Sequence, residues 1–302
     1  MGIVLKQSFI NTIILFLGFG IGGVNVLFLY THFLHEDYFG LITFLLSAAN
    51  ILLPLLVFGM QNTIIKYYSS YKTKVERDNF LTTTLLLPLV IIIPFALLGT
   101  LIYENIANWI SEENPIIKNY TYLIFIVAVF MGYFEVFYSW TKVHLKSVFG
   151  NFIKELLPRI CTSLLLVAVF LKWLTNDQFI YGVVAVYGLS TLIMMLYAFY
   201  IYKPTLKFSV PTNIKELLSF SFYIIVAGSA GGILLEIDKF MIPQMEQIAQ
   251  VAYYSVGIYI ASVIAIPTRA MQQITSPITA KDMNDDNYVE VEKMYQQTEK
   301  CY

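Results

Sequence analysis

Residues 7–31 read QSFINTIILFLGFGIGGVNVLFLYT, 25 residues without a charged side chain. A bilayer core about 30 Å thick is crossed by about 20 consecutive apolar residues. Lipid offers the backbone no hydrogen-bond partner, so the crossing segment must bond its own amides as a helix. The stretch is long enough to span and too long for the apolar core of a cleaved signal peptide, and only Lys6 precedes it as a cation. It is read as a retained first transmembrane helix.

Seven further runs of this kind follow, giving eight predicted spans at about 8–31, 39–59, 80–103, 120–140, 153–174, 179–201, 218–237 and 252–275. The fifth is the weakest, because only the stretch between Arg159 and Lys172 is free of charge, and it must carry Arg159 in its first turns. An arginine near a helix end can snorkel to the headgroups. Composition agrees with a membrane protein. Of the 302 residues 58% are hydrophobic and 13% charged, whereas a soluble chain needs about a quarter charged to cover its surface. The net charge of −1 leaves no basic excess for nucleic acid.

Charge is instead sorted by position. Lys6 lies on one side. Lys66, Lys72, Lys74 and Arg77 share that side, as do Lys142, Lys146 and Lys154, then Lys203, Lys207 and Lys215, and finally Lys281, Lys293 and Lys300. The alternate loops hold only Lys118, Lys172 and Lys239. Cytoplasmic loops retain Lys and Arg, so both the N-terminus and residue 302 are expected in the cytoplasm. Cys161 falls in an apolar run and Cys301 in the polar tail, so a disulfide between them is not expected. The tail, 281–302, reads as a cytoplasmic linker, and the chain reads as truncated after its eighth helix, without a separate soluble domain.

No glycine-rich phosphate loop, metal-spaced Cys/His cluster or serine nucleophile motif is present, so the chain is not read as an enzyme. No cofactor is expected beyond a coupling proton or sodium ion. His32 and His35 sit beside Glu36 and Asp37 in the first external loop, an interfacial setting, and His144 falls in a loop exposed to solvent.

Ionisable side chains at membrane depth cost about 2.5–3.5 kcal/mol each on insertion scales, which makes each a functional candidate. Glu135 lies inside the fourth span; Glu236, Asp238 and Lys239 cluster at the outer end of the seventh; Arg269 follows Pro267 in the eighth; and Arg159 opens the fifth. For each the alternative is structural: an interfacial partner for Glu135, a loop boundary for the acidic cluster, a snorkelling cation for either arginine. Asn11, Asn25 and Asn50, with Gln61 and Asn62 after the Gly59 break, are helix-to-helix glue.

The small-residue stretch Gly18-Phe19-Gly20-Ile21-Gly22-Gly23 has a counterpart in Gly228-Ser229-Ala230-Gly231-Gly232, and Asp37-Tyr38-Phe39-Gly40 before Pro54 has one in Ala252-Tyr253-Tyr254-Ser255 before Pro267. Six helices then restart as a second copy, a common plan for secondary transporters. The predicted fold is an all-α integral membrane protein: a six-helix lobe over 1–202, the first two helices of a second lobe over 203–280, and the linker over 281–302.

The chain resembles the multidrug/oligosaccharidyl-lipid/polysaccharide exporter superfamily, especially its polysaccharide-biosynthesis (O-antigen and capsule) flippase branch. The likeness is carried by Lys6-Gln7-Ser8-Phe9-Ile10-Asn11-Thr12, Glu36-Asp37-Tyr38-Phe39-Gly40, Pro54 with Gly59-Met60-Gln61-Asn62, Glu236-Ile237-Asp238-Lys239-Phe240-Met241-Ile242 and Tyr253-Tyr254-Ser255-Val256-Gly257. It implies two lobes around a cavity that opens alternately to each side and moves polyprenyl-pyrophosphate-linked oligosaccharide outward for lipopolysaccharide or capsule. It also implies that Asp238-Lys239 is an acidic-basic pair common in the branch, and that Arg269 is a cavity cation. Arg269, Lys239 and Arg159 are then expected to hold pyrophosphate, and Glu135, Glu236 or Asp238 a coupling proton or sodium ion. Expected partners are the lipid-linked oligosaccharide, membrane lipids, a glycan polymerase and glycosyltransferases. Alternatives are a cation-coupled multidrug antiporter, which should carry a more acidic pocket, a scaffold subunit of glycan assembly, and a membrane-embedded glycosyltransferase, which should have a large external loop.

Overall fold

The computed structural model describes residues 2–205 and 210–263. Every regular element among them is helical. In chain order these are α1 (Gly2–Val24), continued by a π-helical turn (Asn25–Leu29) into α2 (Tyr30–Phe33), then α3 (Glu36–Leu56), α4 (Met60–Tyr67), α5 (Lys74–Leu101) and α6 (Tyr103–Ile110). A 3-10 turn (Pro115–Tyr120) leads into α7 (Thr121–Val143), followed by α8 (Ser147–Glu155), α9 (Leu157–Phe170), α10 (Asn176–Ile201), α11 (Ile214–Met241) and α12 (Ala249–Ser262).

Five stretches are long and apolar enough to cross a membrane: Phe9–Phe33, Glu36–Leu56, Lys74–Leu101, Pro115–Val143 and Asn176–Ile201. They match the first, second, third, fourth and sixth predicted spans, and make the chain a multi-pass, all-α membrane protein. The seventh is α11, whose arms Ile214–Ala227 and Gly231–Gln244 meet at 51° across the second small-residue stretch. The fifth differs from expectation, being two helices, α8 and α9. The eighth is described as far as Val263. Pro267, Arg269, the 281–302 linker and Cys301 lie outside the described residues.

Local chemistry sets the boundaries. Thr73 with Glu76 and Thr175 with Gln178 form reciprocal capping boxes that satisfy free amides at the starts of α5 and α10. The second span stops at Leu56, because Phe58 and Gly59 take left-handed backbone angles (φ 48° and 61°) before α4 begins. A side chain at Gly59 would also sit 3.1 Å from the Ser221 carbonyl.

The lysine-bearing connections gather at one end of the bundle, as the alternating charge predicts. There Tyr68 Oη donates to His144 Nε2 at 3.0 Å, and His144 Nδ1 donates to the Trp140 carbonyl at 2.8 Å. His144 is therefore half-buried between Tyr68 and Tyr202, not solvated: a loop position in sequence is an aromatic seam in space. At the same end Tyr202 Oη and the Thr205 amide donate to Asp78 at 2.6 and 3.0 Å. At the opposite end Asp177 accepts from Tyr38 and Tyr120.

α3, α7 and α10 form the centre, with Phe44, Leu45, Phe179 and Trp140 fully buried along it. α5 presents Val90, Ile93, Leu97, Leu98 and Leu101 outward, an apolar face suited to lipid. α11 and α12 dock along α3. Phe44 stacks on Phe240 at 5.6 Å, Ser47 Oγ donates to the Glu236 carbonyl at 2.7 Å, and Thr63 and Ser221 share a hydrogen bond of 2.6 Å. Gly40 faces the Ile248 backbone so closely that a Cβ there would lie 2.0 Å from its carbonyl oxygen.

Candidate functional site

Pro158 decides where the charged residues go. Its ring supplies no amide proton and crowds the carbonyl four residues earlier, here that of Lys154. The helical ladder is interrupted at Leu156 and restarts as α9 with Pro158 in its first turn. Arg159 thus stands in the first turn of α9, after the short helix α8. The α8–α9 break brings Lys154, Glu155 and Arg159 to one cavity of about 290 Å³, closed by Asn50 and Leu53 of α3, Met131, Phe134 and Glu135 of α7, and Tyr187, Ser190 and Thr191 of α10.

Two ion pairs fill it. Lys154 Nζ meets Glu135 Oε1 at 2.5 Å, and Arg159 Nη2 meets Glu155 Oε2 at 3.1 Å. Both carboxylates are less than one-fifth exposed, while Lys154 keeps 45% of its side chain open. Lys142, seated 3.9 Å over the Tyr138 ring, adds a third cation within electrostatic reach of Glu135. Charges withdrawn from water are held only when paired, so the two carboxylates stabilise cations that hydrocarbon would otherwise reject.

Arg159 lies against the middle of the first span. A Cβ at Gly18 would be 2.9 Å from Arg159 Nη1, and one at Gly22 would be 3.5 Å from its Cδ; these glycines bracket the midpoint of Phe9–Phe33. The glycine stretch is the flat seat that admits the Arg159 guanidinium. Asn25, first residue of the π-helical turn, donates to the Arg159 carbonyl at 2.9 Å and accepts from Ser163 Oγ at 2.5 Å. Asn11 donates to Ser147 Oγ at 3.3 Å. The asparagines of the first span are the helix glue expected of them.

The remaining predicted residues divide. Tyr187 in the cavity wall lies within electrostatic reach of Arg159, Glu236 and Glu155, but Glu236 itself does not line the cavity. Lys239 pairs with Glu236 at 2.5 Å, not with Asp238, because adjacent residues on a helix point apart while i and i+3 share a face. Asp238 instead accepts from Tyr254 Oη at 2.5 Å. Lys154 and Glu155 were missed: Lys154 counts as a loop cation although the predicted fifth span begins one residue before it. The available signal was Glu155 four residues before Arg159, the favourable order for a helical pair.

A second cavity, of about 310 Å³, opens at the end away from the lysines, lined by Tyr30, Phe39, Tyr253 and Val256 with Glu36 and His35. It holds neither of the two ion pairs. Among the described residues no cluster of three or more His, Cys, Asp or Glu could hold a metal.

Multi-pass helices around a cavity lined by paired charges define a helical membrane protein. The chain belongs to the polysaccharide biosynthesis protein family, whose model matches residues 4–280. No match was found among curated proteins or among solved structures.

Proposed function

We propose that the chain is a flippase that carries polyprenyl-pyrophosphate-linked oligosaccharide from the cytoplasmic to the outer leaflet for cell-surface polysaccharide. The observation that supports this most is the pair of cations, Lys154 and Arg159, in one cavity, with Arg159 against the midpoint of the first span. A pyrophosphate headgroup needs cationic, hydrated surroundings while its polyprenyl tail stays in lipid. Guanidinium and ammonium groups both bind phosphate oxygens. Arg159 takes the leading role and Lys154 joins it. Lys239 and Arg269 remain further candidates for pyrophosphate, and Glu135, Glu236 or Asp238 for a coupling proton or sodium ion.

On this proposal residues 1–202 form one lobe, 203–280 begin a second, and the lysine-rich end faces the cytoplasm of a bacterial inner membrane. The protein then acts without a catalytic centre, beside the glycosyltransferases and polymerase that make and consume its cargo. The balanced signs within the cavity fit an anionic cargo better than the acidic pocket expected of a cation-coupled drug antiporter.

The test is deletion of the native gene with leaflet-resolved measurement of polyprenyl-linked oligosaccharide. Accumulation on the cytoplasmic leaflet with loss of surface glycan is expected. Unchanged glycan with greater sensitivity to cationic dyes would replace this proposal with the antiporter.

A further inference from the structure

Both cavity cations are already held by carboxylates, yet neither is saturated. Arg159 Nη1 is buried and finds no acceptor among the described residues. Lys154 has three donor protons and an exposed flank. The two cations line the same cavity, so a ligand with several anionic oxygens reaches both. A cavity of this volume has room for a group the size of several waters, at about 30 Å³ each.

We propose that Glu135 and Glu155 are built-in competitors of the cargo's phosphate. This rests on the flippase reading above and deepens it. Carboxylate and phosphate oxygens offer the same kind of acceptor to guanidinium and ammonium donors, so a diphosphate entering the cavity displaces Glu135 from Lys154 and Glu155 from Arg159. Re-formation of the two ion pairs expels it.

Two physical needs are met at once. An empty cavity never exposes an unpaired charge to a low-dielectric interior, which would be strongly destabilising. A filled cavity binds only by the difference between two sets of ion pairs, which keeps the cargo releasable. The competitors sit on different helices, Glu135 on α7 and Glu155 on α8, so exchange at one pair leaves the other in place. The other ionisable groups near the pairs are Lys142 and Tyr138 of α7, Tyr187 of α10, Glu236 of α11 and Tyr259 of α12.

The test uses the full chain purified in detergent and titrated calorimetrically with inorganic pyrophosphate. Glu135→Gln and Glu155→Gln should each bind about tenfold more tightly than wild type, as expected when one competing charged contact is removed. Glu135→Asp, which keeps the charge but shortens its reach, should fall between. The tightening should persist at about 1 M salt, where the screening length is about 3 Å and through-space effects fade.

If the Gln variants bind no more tightly while Lys154→Gln and Arg159→Gln abolish binding, competition is wrong and the anion site stands. If Lys154→Gln and Arg159→Gln bind as wild type does, the anion site itself is wrong, and the flippase reading loses its support. Each variant is compared only as a monodisperse, folded preparation, and the two Gln variants on separate helices guard against loss of either one.

Discussion

Glu135 on α7 and Lys154 on α8 form a 2.5 Å ion pair across the interior cavity. It links two helices that the sequence separates by a turn and a change of direction. Removing either partner leaves the other unpaired in the cavity. Lys154 is partly open, so Glu135→Ala should cost less than the 3–5 kcal/mol of a fully buried pair, about 1–3 kcal/mol. A double-mutant cycle on thermal unfolding in detergent checks this. The exchanged pair Glu135→Lys with Lys154→Glu should recover much of the loss, and additive effects of the single variants would contradict the pairing.

The glycine stretch of α1 makes a position-specific claim. Gly18→Ala would place a Cβ 2.9 Å from Arg159 Nη1 and 3.1 Å from the Glu155 carbonyl, whereas Gly20→Ala meets nothing within 4 Å among the described residues. Overpacking of this kind costs about 1–3 kcal/mol. Gly18→Ala should therefore lower both stability and surface glycan, and Gly20→Ala should leave both near wild type. Equal tolerance at the two positions would show that Arg159 is not seated there.

Asn114 pins the α11–α12 turn to the rest of the bundle. Its side-chain amide donates to the Pro243 and Glu246 carbonyls at 2.7 and 2.8 Å, and its oxygen accepts from the Ile248 amide at 2.8 Å. Asn114→Ala leaves these backbone groups unpaired, at about 1–3 kcal/mol for each that water cannot reach. Protease sensitivity of the 242–248 turn should rise, as read by limited proteolysis and mass spectrometry. Gly40→Ala, which would drive a Cβ into the Ile248 carbonyl, should produce the same fragments.

At the lysine-rich end Tyr202 donates to Asp78 at 2.6 Å. Burial, reinforced by that carboxylate, raises the Tyr202 phenol above its ordinary value. The folded state therefore holds the proton more tightly than the unfolded chain. The seam should be intact at neutral pH and lose stability as pH rises past about 10, where an unfolded tyrosine ionises. Tyr202→Phe should be less stable at neutral pH and show a weaker alkaline decline, which unfolding midpoints at pH 8 to 11 would report.

Much of the architecture was legible in the sequence because lipid imposes a simple demand, a long uncharged helix. The five continuous spans followed from it. The fifth span was not legible as it stands: it is predicted as one run from residue 153, while the first of its two helices starts at Ser147 and breaks beside Pro158. That error hid Lys154 and Glu155 and made Arg159 look terminal. Glu135 and Arg159 were recognisable as costly charges, but which charge each would pair with depends on packing between distant helices. The Asp238-Lys239 neighbourhood misled for a smaller reason: helical geometry turns the adjacent side chains apart and pairs Lys239 with Glu236.

The most direct measurement is complementation of the deletion strain with Arg159→Gln and Lys154→Gln, each at wild-type protein level, with polyprenyl-linked oligosaccharide measured separately in the two leaflets. Substrate should be trapped on the cytoplasmic leaflet in both variants, with surface glycan reduced at least tenfold, the effect of about 1.4 kcal/mol or more. Wild-type leaflet distribution and surface glycan in both variants would contradict an interior phosphate-binding cavity.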